Sequence, residues 1–135
     1  LTISLHGPND EIRESIMPIN RKYKIAELMD ACKYYYDKTG RRISFEYSLI
    51  KGVNDSIRNA EELARLVKPL HAHVNLIPVN NVEERDFKQG TKAEINGFLN
   101  RLTDLGINAT IRRELGSDIS ASCGQLRKKT ANITE

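Results

Sequence analysis

Apolar and polar residues alternate in four short stretches of the chain, and each stretch predicts a β-strand. The alternation is clearest at the start, where Leu1, Ile3 and Leu5 are apolar and the residues between them are polar. A period of two residues is typical of a strand with two different faces. The four predicted strands cover residues 1–6, 41–50, 71–78 and 107–113.

Between these strands, apolar residues recur every three or four positions, which predicts helices. The first helix is short, because Asn9 can cap its start and Pro18 stops it. Three longer helices follow, and their predicted buried stripes are Ile25, Leu28, Met29, Cys32 and Tyr35 or Tyr36, then Ile57, Ala60, Leu63, Ala64, Leu66 and Val67, then Ile95, Phe98, Leu99, Leu102 and Leu105. Their predicted ends are marked by Gly40, Ser56, the capping box of Thr91 and Glu94, and Gly106.

Strands that alternate with helices of this length predict right-handed βαβ units and a parallel sheet. The predicted fold class is therefore α/β. In parallel folds of this kind, ligands bind at the carboxyl ends of the strands and on the loops that follow them. We therefore expect the functional residues in SLHGPND, LIKGVND, IPVNN and RRELGSD.

The composition supports one soluble globular domain, since 39% of the 135 residues are hydrophobic and 29% are charged. No apolar run approaches the roughly 18 residues of a membrane span. The net charge of +3 permits contact with nucleic acid without arguing for it. Two cysteines are too few for a disulfide framework, so we expect a reducing cytoplasm. The chain opens inside a strand pattern without an initiator methionine, so we expect a piece of a longer protein.

Several polar residues at the predicted strand ends have two interpretations each. Ser4 and His6 can line a ligand pocket, or His6 can cap neighbouring carbonyl groups. Glu46, on an otherwise apolar strand, needs either an ion-pair partner or a ligand, and the ion pair is slightly favoured. Asn75 and Asn80 can offer amide groups to a ligand, although formation of a turn is the commoner role of asparagine at such a place.

The two cysteines lie in contrasting surroundings. Cys123 is flanked by small residues in SDISASCGQL, so the thiol is either an accessible nucleophile or a surface group without a role. Cys32 lies on the apolar face of a predicted helix and is interpreted as a small buried hydrophobe. The basic clusters 21–24 and 127–129 could bind phosphate, although such runs are more often solvated.

Five segments, taken in order, resemble one protein family. SLHGPND, MPINRKYKIAELMDAC, GRRISFEYSLIKGVNDS, HVNLIPVN and DISASCGQL are similar to the C-terminal half of the radical S-adenosylmethionine (SAM) methyltransferases that modify adenine in RNA. The resemblance is nearest to dual-specificity enzymes that methylate C2 of adenine in 23S rRNA and in tRNA. It implies that residues 1–135 form the C-terminal part of a partial (β/α)6 radical-SAM barrel, a parallel sheet with flanking helices.

The resemblance also implies roles for individual residues. It implies that Ser4, Leu5, His6 and Asn80 contact SAM. It also implies that Cys123 accepts a methyl group from one SAM and becomes an S-methylcysteine intermediate. A second SAM, held by a [4Fe–4S] cluster, is cleaved reductively to a 5′-deoxyadenosyl radical that takes a hydrogen atom from this methyl group. The resulting methylene radical adds to C2 of adenine, and a second cysteine helps to release the product.

This chain lacks the family's cluster-binding CxxxCxxC motif, its N-terminal RNA-binding region and its resolving cysteine. A cluster needs three thiolates here, and two cysteines cannot supply them, so no metal ligands are predicted in this chain. The resemblance therefore implies an inactive fragment of a cytoplasmic enzyme without membrane contact, whose partners are 23S rRNA, tRNA and an electron donor. The missing strands would leave a barrel edge unpaired, which favours self-association. The alternatives are an adenine-C8 rRNA methyltransferase of the antibiotic-resistance type and a non-catalytic RNA-binding module.

Overall fold

A computed structural model describes residues 1–79 and 91–112, in which helices and strands alternate along the chain. The elements are β1 (Thr2–Ser4), α1 (Asp10–Ile16), α2 (Ile25–Thr39), β2 (Ser44–Leu49), α3 (Ile57–Val67), β3 (His73–Pro78), α4 (Lys92–Asp104) and β4 (Asn108–Ile111), with short 3₁₀ helices at Pro18–Arg21 and Lys68–Leu70. The predicted α/β class is confirmed.

The described strands form one parallel sheet in the order β1-β2-β3-β4. Each crossover moves one strand further in the same direction, and right-handed crossovers then place every connecting helix on the same face. The buried core agrees with this, since residues of α2, α3 and α4 form a single cluster with one face of the sheet. This one-sided arrangement is that of a barrel wall, and none of the helices α2, α3 and α4 covers the other face of the sheet.

The covered face of the sheet is built from apolar residues in register. One such row is Ile3, Phe45, Val74 and Ala109, and the next contains Tyr47, Leu76 and Ile111. Phe45 and Leu76 are 0% exposed, and full burial of such side chains contributes about 1.5–3 kcal/mol each. The Tyr47 ring stacks on Phe98 at a centroid distance of 5.5 Å. The helix layer is therefore held by burial of apolar side chains.

The predicted helix ends are confirmed by their hydrogen bonds. The side chain of Asn9 accepts from the backbone N–H of Ile12 at 2.9 Å, and Ser56 accepts from Asn59 at 3.0 Å. At the start of α4, Thr91 and Glu94 exchange the two bonds of a capping box, at 3.2 and 2.8 Å. Gly40 ends α2 with a left-handed φ of 67°.

Two details differ from the sequence-based expectation. Ile57 was expected to point inward, but its side chain is 49% exposed, because it is the first residue of α3 and adjoins the loop after β2. The first strand ends at Ser4 rather than at residue 6, because His6 has a left-handed φ of 58° that no strand accommodates. Cys32 is buried as predicted, with 2% of its surface exposed.

Two predicted site residues, Asn80 and Cys123, lie outside the described residues, as do the connection 80–90 and the basic cluster 127–129. No helix within residues 1–79 and 91–112 combines the length and the apolar character that a membrane crossing requires.

Candidate functional site

The sheet face opposite the helices is polar. Residues that are partners in the register of a parallel sheet project to the same side. This face therefore carries two rows of polar residues across the strands, and the rows are two residues apart along each strand. The first row is Thr2, Ser44, His73 and Asn108, and the second is Ser4, Glu46, Asn75 and Thr110. The amphipathic sheet therefore presents hydrogen-bonding groups from all four described strands on the side that would face the inside of a barrel.

Side-chain bonds connect the second row. The Glu46 carboxylate pairs with the guanidinium of Arg112, which follows β4. The preferred interpretation of Glu46 as an ion-pair residue is therefore confirmed. Beside it, the Asn75 carbonyl oxygen lies 3.1 Å from Nε2 of His73 and accepts from Thr110 at 3.2 Å. Asn75 lies inside β3 and forms no turn.

His6 lies at the carboxyl end of β1, where the parallel ladder with β2 stops. Its Nδ1 accepts a hydrogen bond from the backbone N–H of Ser48 at 2.9 Å. A nitrogen that accepts carries no hydrogen, so the neutral ring has its hydrogen on Nε2. Burial lowers the pKa of His6 to about 4, with the nearby Glu46 opposing this change and Arg13 adding to it. The ring is therefore a neutral donor at physiological pH.

Asn54 joins the ends of the first two strands from within the loop after β2. Its side chain is fully buried, donates to the carbonyl oxygens of His6 at 2.8 Å and Ser48 at 2.6 Å, and accepts from the N–H of Ile50 at 2.8 Å. Its own carbonyl accepts from the Tyr47 hydroxyl at 2.7 Å. These bonds use both N–H groups and the oxygen of its buried amide, and they fix one loop against the other.

Arg13 secures β1 from the other side. This arginine of α1 is only 5% exposed, and its guanidinium donates to the carbonyl oxygens of Leu5 at 3.0 Å and Ser4 at 3.3 Å. It also donates to Asn20 at 2.9 Å. The Asn20 amide in turn binds Asp10, whose carboxylate accepts from the N–H of Ile25 at 2.9 Å, and this bond is the main reason why the pKa of Asp10 is lowered.

The predicted SAM residues at β1 fall into two groups. Ser4 and His6 lie together at the carboxyl edge, in the place where ligands bind parallel folds. Leu5 is 0% exposed and its side chain belongs to the hydrophobic core, so only its backbone lies near that edge. Its N–H already donates to Glu46 and its carbonyl accepts from Arg13. The assignment of these three residues to SAM stays a prediction.

The chain is similar to curated proteins over almost its whole length, although no family model matches it. It is 60% identical over 129 residues, or 96% of the chain, to the probable dual-specificity RNA methyltransferase RlmN of Lachnospira eligens. It is 59% identical over 128 residues to the protein of the same name from Clostridium perfringens. The chain is therefore similar, over almost its whole length, to one part of the RlmN proteins. It spans 37% of the length of each of these two relatives.

Solved structures agree with this similarity to the RlmN proteins. A radical SAM methyltransferase from Sphaerobacter thermophilus matches with a TM-score of 0.86 and 54% identity, over 93% of this chain and 37% of that one. A domain of a pyruvate-formate lyase-activating enzyme from Bacteroides vulgatus matches with a TM-score of 0.67 at 18% identity, which shows a shared fold alone. The expected resemblance and the fold are therefore both confirmed.

Sequence reasoning missed the roles of Asn54 and Arg13 in this RlmN-like chain. Both act through backbone carbonyl groups, and the bond from Asn54 to His6 spans 48 residues. Every residue has a backbone carbonyl group, whatever its type, so no pattern of residue types in the sequence predicts these contacts. The one available signal was an arginine within a short helix that is otherwise acidic, DEIRESI.

The described residues offer no metal site. Within residues 1–79 and 91–112, no group of three or more His, Cys, Asp or Glu side chains could hold a metal ion. The whole chain has two cysteines, of which Cys32 is buried in the core. Because an iron–sulfur cluster takes its ligands from several thiolates, the donor set of this chain does not fit one.

The stability of the chain should depend on pH through His6. The pKa of its ring is about 4 in the folded chain and near 6.5 when unfolded, so the unfolded state binds the proton first as pH falls. The contribution of His6 to the free energy of unfolding is therefore complete above about pH 6.5. It decreases by about 2 to 3 kcal/mol as the pH falls towards 4. Urea unfolding between pH 4 and pH 8 measures this loss.

The variant His6→Asn is the matched control for this titration. Asparagine keeps an acceptor for the Ser48 N–H and tolerates a left-handed φ, but it does not titrate. Its free energy of unfolding should fall less than that of the wild type over the same pH range. Equal pH dependence of the two proteins would contradict the depressed pKa.

Proposed function

We propose that this chain is the C-terminal part of a radical SAM methyltransferase that methylates C2 of adenine in 23S rRNA and in tRNA. The observation that carries the proposal is the 60% identity over 96% of the chain to a relative named as a dual-specificity RNA methyltransferase. The polar edge around His6 supports it, because it supplies a ligand site at the end where parallel folds bind ligands.

The proposed SAM site consists of Ser4, Leu5, His6 and Asn80. Among these, His6 offers a neutral Nε2–H donor, which suits an oxygen or nitrogen acceptor on SAM. Ser4 adds a hydroxyl from the adjacent exposed position of β1. Leu5 would act through its backbone, since its side chain is in the core. When bound, SAM supplies an electrophilic methyl group.

The proposed methyl carrier is Cys123, as an S-methylcysteine intermediate. Its neighbours Ser122 and Gly124 are small, which favours access to the thiol. Cys32 is unsuitable for this role, because its side chain is 2% exposed and burial raises the pKa of its thiol. Of the two cysteines in the sequence, Cys123 is therefore the candidate that remains.

The ligands of the [4Fe–4S] cluster would lie outside this chain, and so would the resolving cysteine. The chain alone should therefore be inactive. In the full-length gene product, meaning the complete product of the gene that encodes this chain, an electron donor would reduce the cluster. We place the enzyme in the cytoplasm. The edge of β1 that β2 does not pair would favour self-association of the isolated chain.

The full-length gene product should restore methylated adenine to RNA in cells that lack this modification. Mass spectrometry of nucleosides from 23S rRNA and tRNA identifies both the modified RNA and the methylated carbon. The expected result is 2-methyladenosine in both RNAs. Methylation at C8 would instead show the alternative regiochemistry, and no methylated adenine would contradict the proposal as a whole. Expression of residues 1–135 alone is the matched control and should leave both RNAs unmodified.

A further inference from the structure

The carboxyl end of β1 is completed by side chains in place of a strand. The N–H groups of Leu5 and His6 still approach the Glu46 carbonyl of β2, but no backbone group of the first strand reaches Ser48, two residues further along. The N–H and the carbonyl of Ser48 on β2 are nevertheless both bonded, the first by Nδ1 of His6 and the second by the Asn54 amide. The imidazole and the amide therefore supply the acceptor and the donor that a continued strand would have supplied.

His6 can take this place only in an unusual backbone conformation. Its φ of 58° lies in the left-handed region, which is unfavourable for residues other than glycine and persists where the surroundings enforce it. The Gly7 N–H helps to enforce it by donating to the Leu5 carbonyl at 2.7 Å across His6, and two further bonds involve the His6 backbone itself. The His6 N–H approaches the Glu46 carbonyl at 3.4 Å, and the His6 carbonyl accepts from Asn54 at 2.8 Å. The Asn54 bond is the shorter of the two.

Asn54 is itself held firmly, so it can impose this conformation. Its amide is fully buried, its three side-chain bonds are 2.6 to 2.8 Å long, and its carbonyl accepts from the buried Tyr47 hydroxyl. Loss of the Asn54 side chain would leave two buried carbonyls without donors and would release the His6 backbone. The ring could then leave Ser48 and exchange between its two neutral tautomers.

We propose that Asn54 is a positioning residue that locks His6 as an Nε2–H donor directed at a ligand on the carboxyl edge of the sheet. The inference rests on the proposed function for the identity of that ligand, SAM. The orientation and tautomer of His6 rest on the geometry alone. Two charged groups face the ring, Glu46 from β2 and Arg13 from α1, and the charge of neither depends on Asn54.

Nitrogen-15 NMR of histidine-labelled, full-length apoprotein tests the first half of the inference. His6 is assigned by comparison with His6→Asn, and near pH 7 its Nδ1 should show the shift of an unprotonated nitrogen and its Nε2 that of a protonated one. An Nδ1–H tautomer or an averaged spectrum in the wild type would overturn the proposal, whatever the variants do. Asn54→Asp keeps the size of the side chain and the acceptor for Ile50 but removes its amide donors, and it should give the averaged spectrum.

SAM affinity, measured by calorimetry on the same proteins, tests the second half. Asn54→Asp should raise the Kd for SAM about tenfold, the loss expected when a ligand donor is no longer oriented. Ser56→Ala is the matched control, because it removes the cap of α3 in the same loop without touching His6. An equal loss in Ser56→Ala, or wild-type affinity in a folded Asn54→Asp, would contradict a positioning role. An Nε2–H tautomer in a protein that methylates no RNA would contradict only the proposed function.

Discussion

Cys123→Ala should abolish methylation of adenine by the full-length gene product, while its affinity for SAM stays within about twofold of the wild type. The ring carbon C2 of adenine is not nucleophilic, so it cannot accept a methyl group by simple displacement from SAM. A carrier thiol solves the first part of this problem. In the proposed function its thiolate would attack the methyl carbon of SAM, so that the new sulfur–carbon bond would form as the sulfonium bond breaks and S-adenosylhomocysteine leaves.

The chain provides its own control for this experiment in the second cysteine. Cys32→Ala removes a thiol from the hydrophobic core, at a modest cost in stability, and should leave methylation intact. Mass spectrometry of the purified wild type should find one added methyl group on the peptide that contains Cys123 and none on that of Cys32. Residual methylation by Cys123→Ala, or a methyl group on Cys32, would refute the carrier assignment.

The layers of the fold could be predicted from the sequence because they follow from periodicity. Apolar residues of a strand, such as Phe45 and Tyr47 of β2, repeat at every second position, and the apolar stripes of α3 and α4 repeat every three or four residues. Burial enforces both patterns. Ile57 shows where periodicity fails, since it fits the stripe of α3 but lies at the start of the helix, where its side chain is half exposed.

The sequence predicted where the candidate site lies in the fold, but not the contacts that support it. The carboxyl ends of parallel strands lie at one edge, so Ser4 and His6 could be assigned to it before any coordinates were known. The supporting contacts could not be predicted, because Arg13 and Asn54 bind backbone carbonyl groups, those of Leu5 and His6, which lie 8 and 48 residues away. Every residue has a backbone carbonyl group, and only the fold determines which of these groups the two side chains bind.

Among substitutions of the described glycines by alanine, Gly7→Ala should destabilise the fold most. A Cβ at Gly7 would lie 2.6 Å from both the Cα and the backbone N of Arg13, closer than such atoms approach in real proteins. Because backbone cannot rotate away, α1 must move from the end of β1. This movement would pull the Arg13 guanidinium from the carbonyl oxygens of Ser4 and Leu5. We expect a loss of about 4 kcal/mol in the free energy of unfolding, from overpacking and broken charged hydrogen bonds together.

The matched control is Gly97→Ala, which adds the same methyl group to α4. Apart from its chain neighbours and the nearby backbone of its own helix, no described atom lies within 4 Å of a Cβ at that position, and alanine is the better helix former, so this variant should be more stable by about 0.5–1 kcal/mol. Urea unfolding of both variants, followed by circular dichroism, measures the contrast. A loss below about 1 kcal/mol in Gly7→Ala would mean that α1 can shift without cost. It would then follow that the close approach of Arg13 to β1 is not what holds Ser4 and His6 in place.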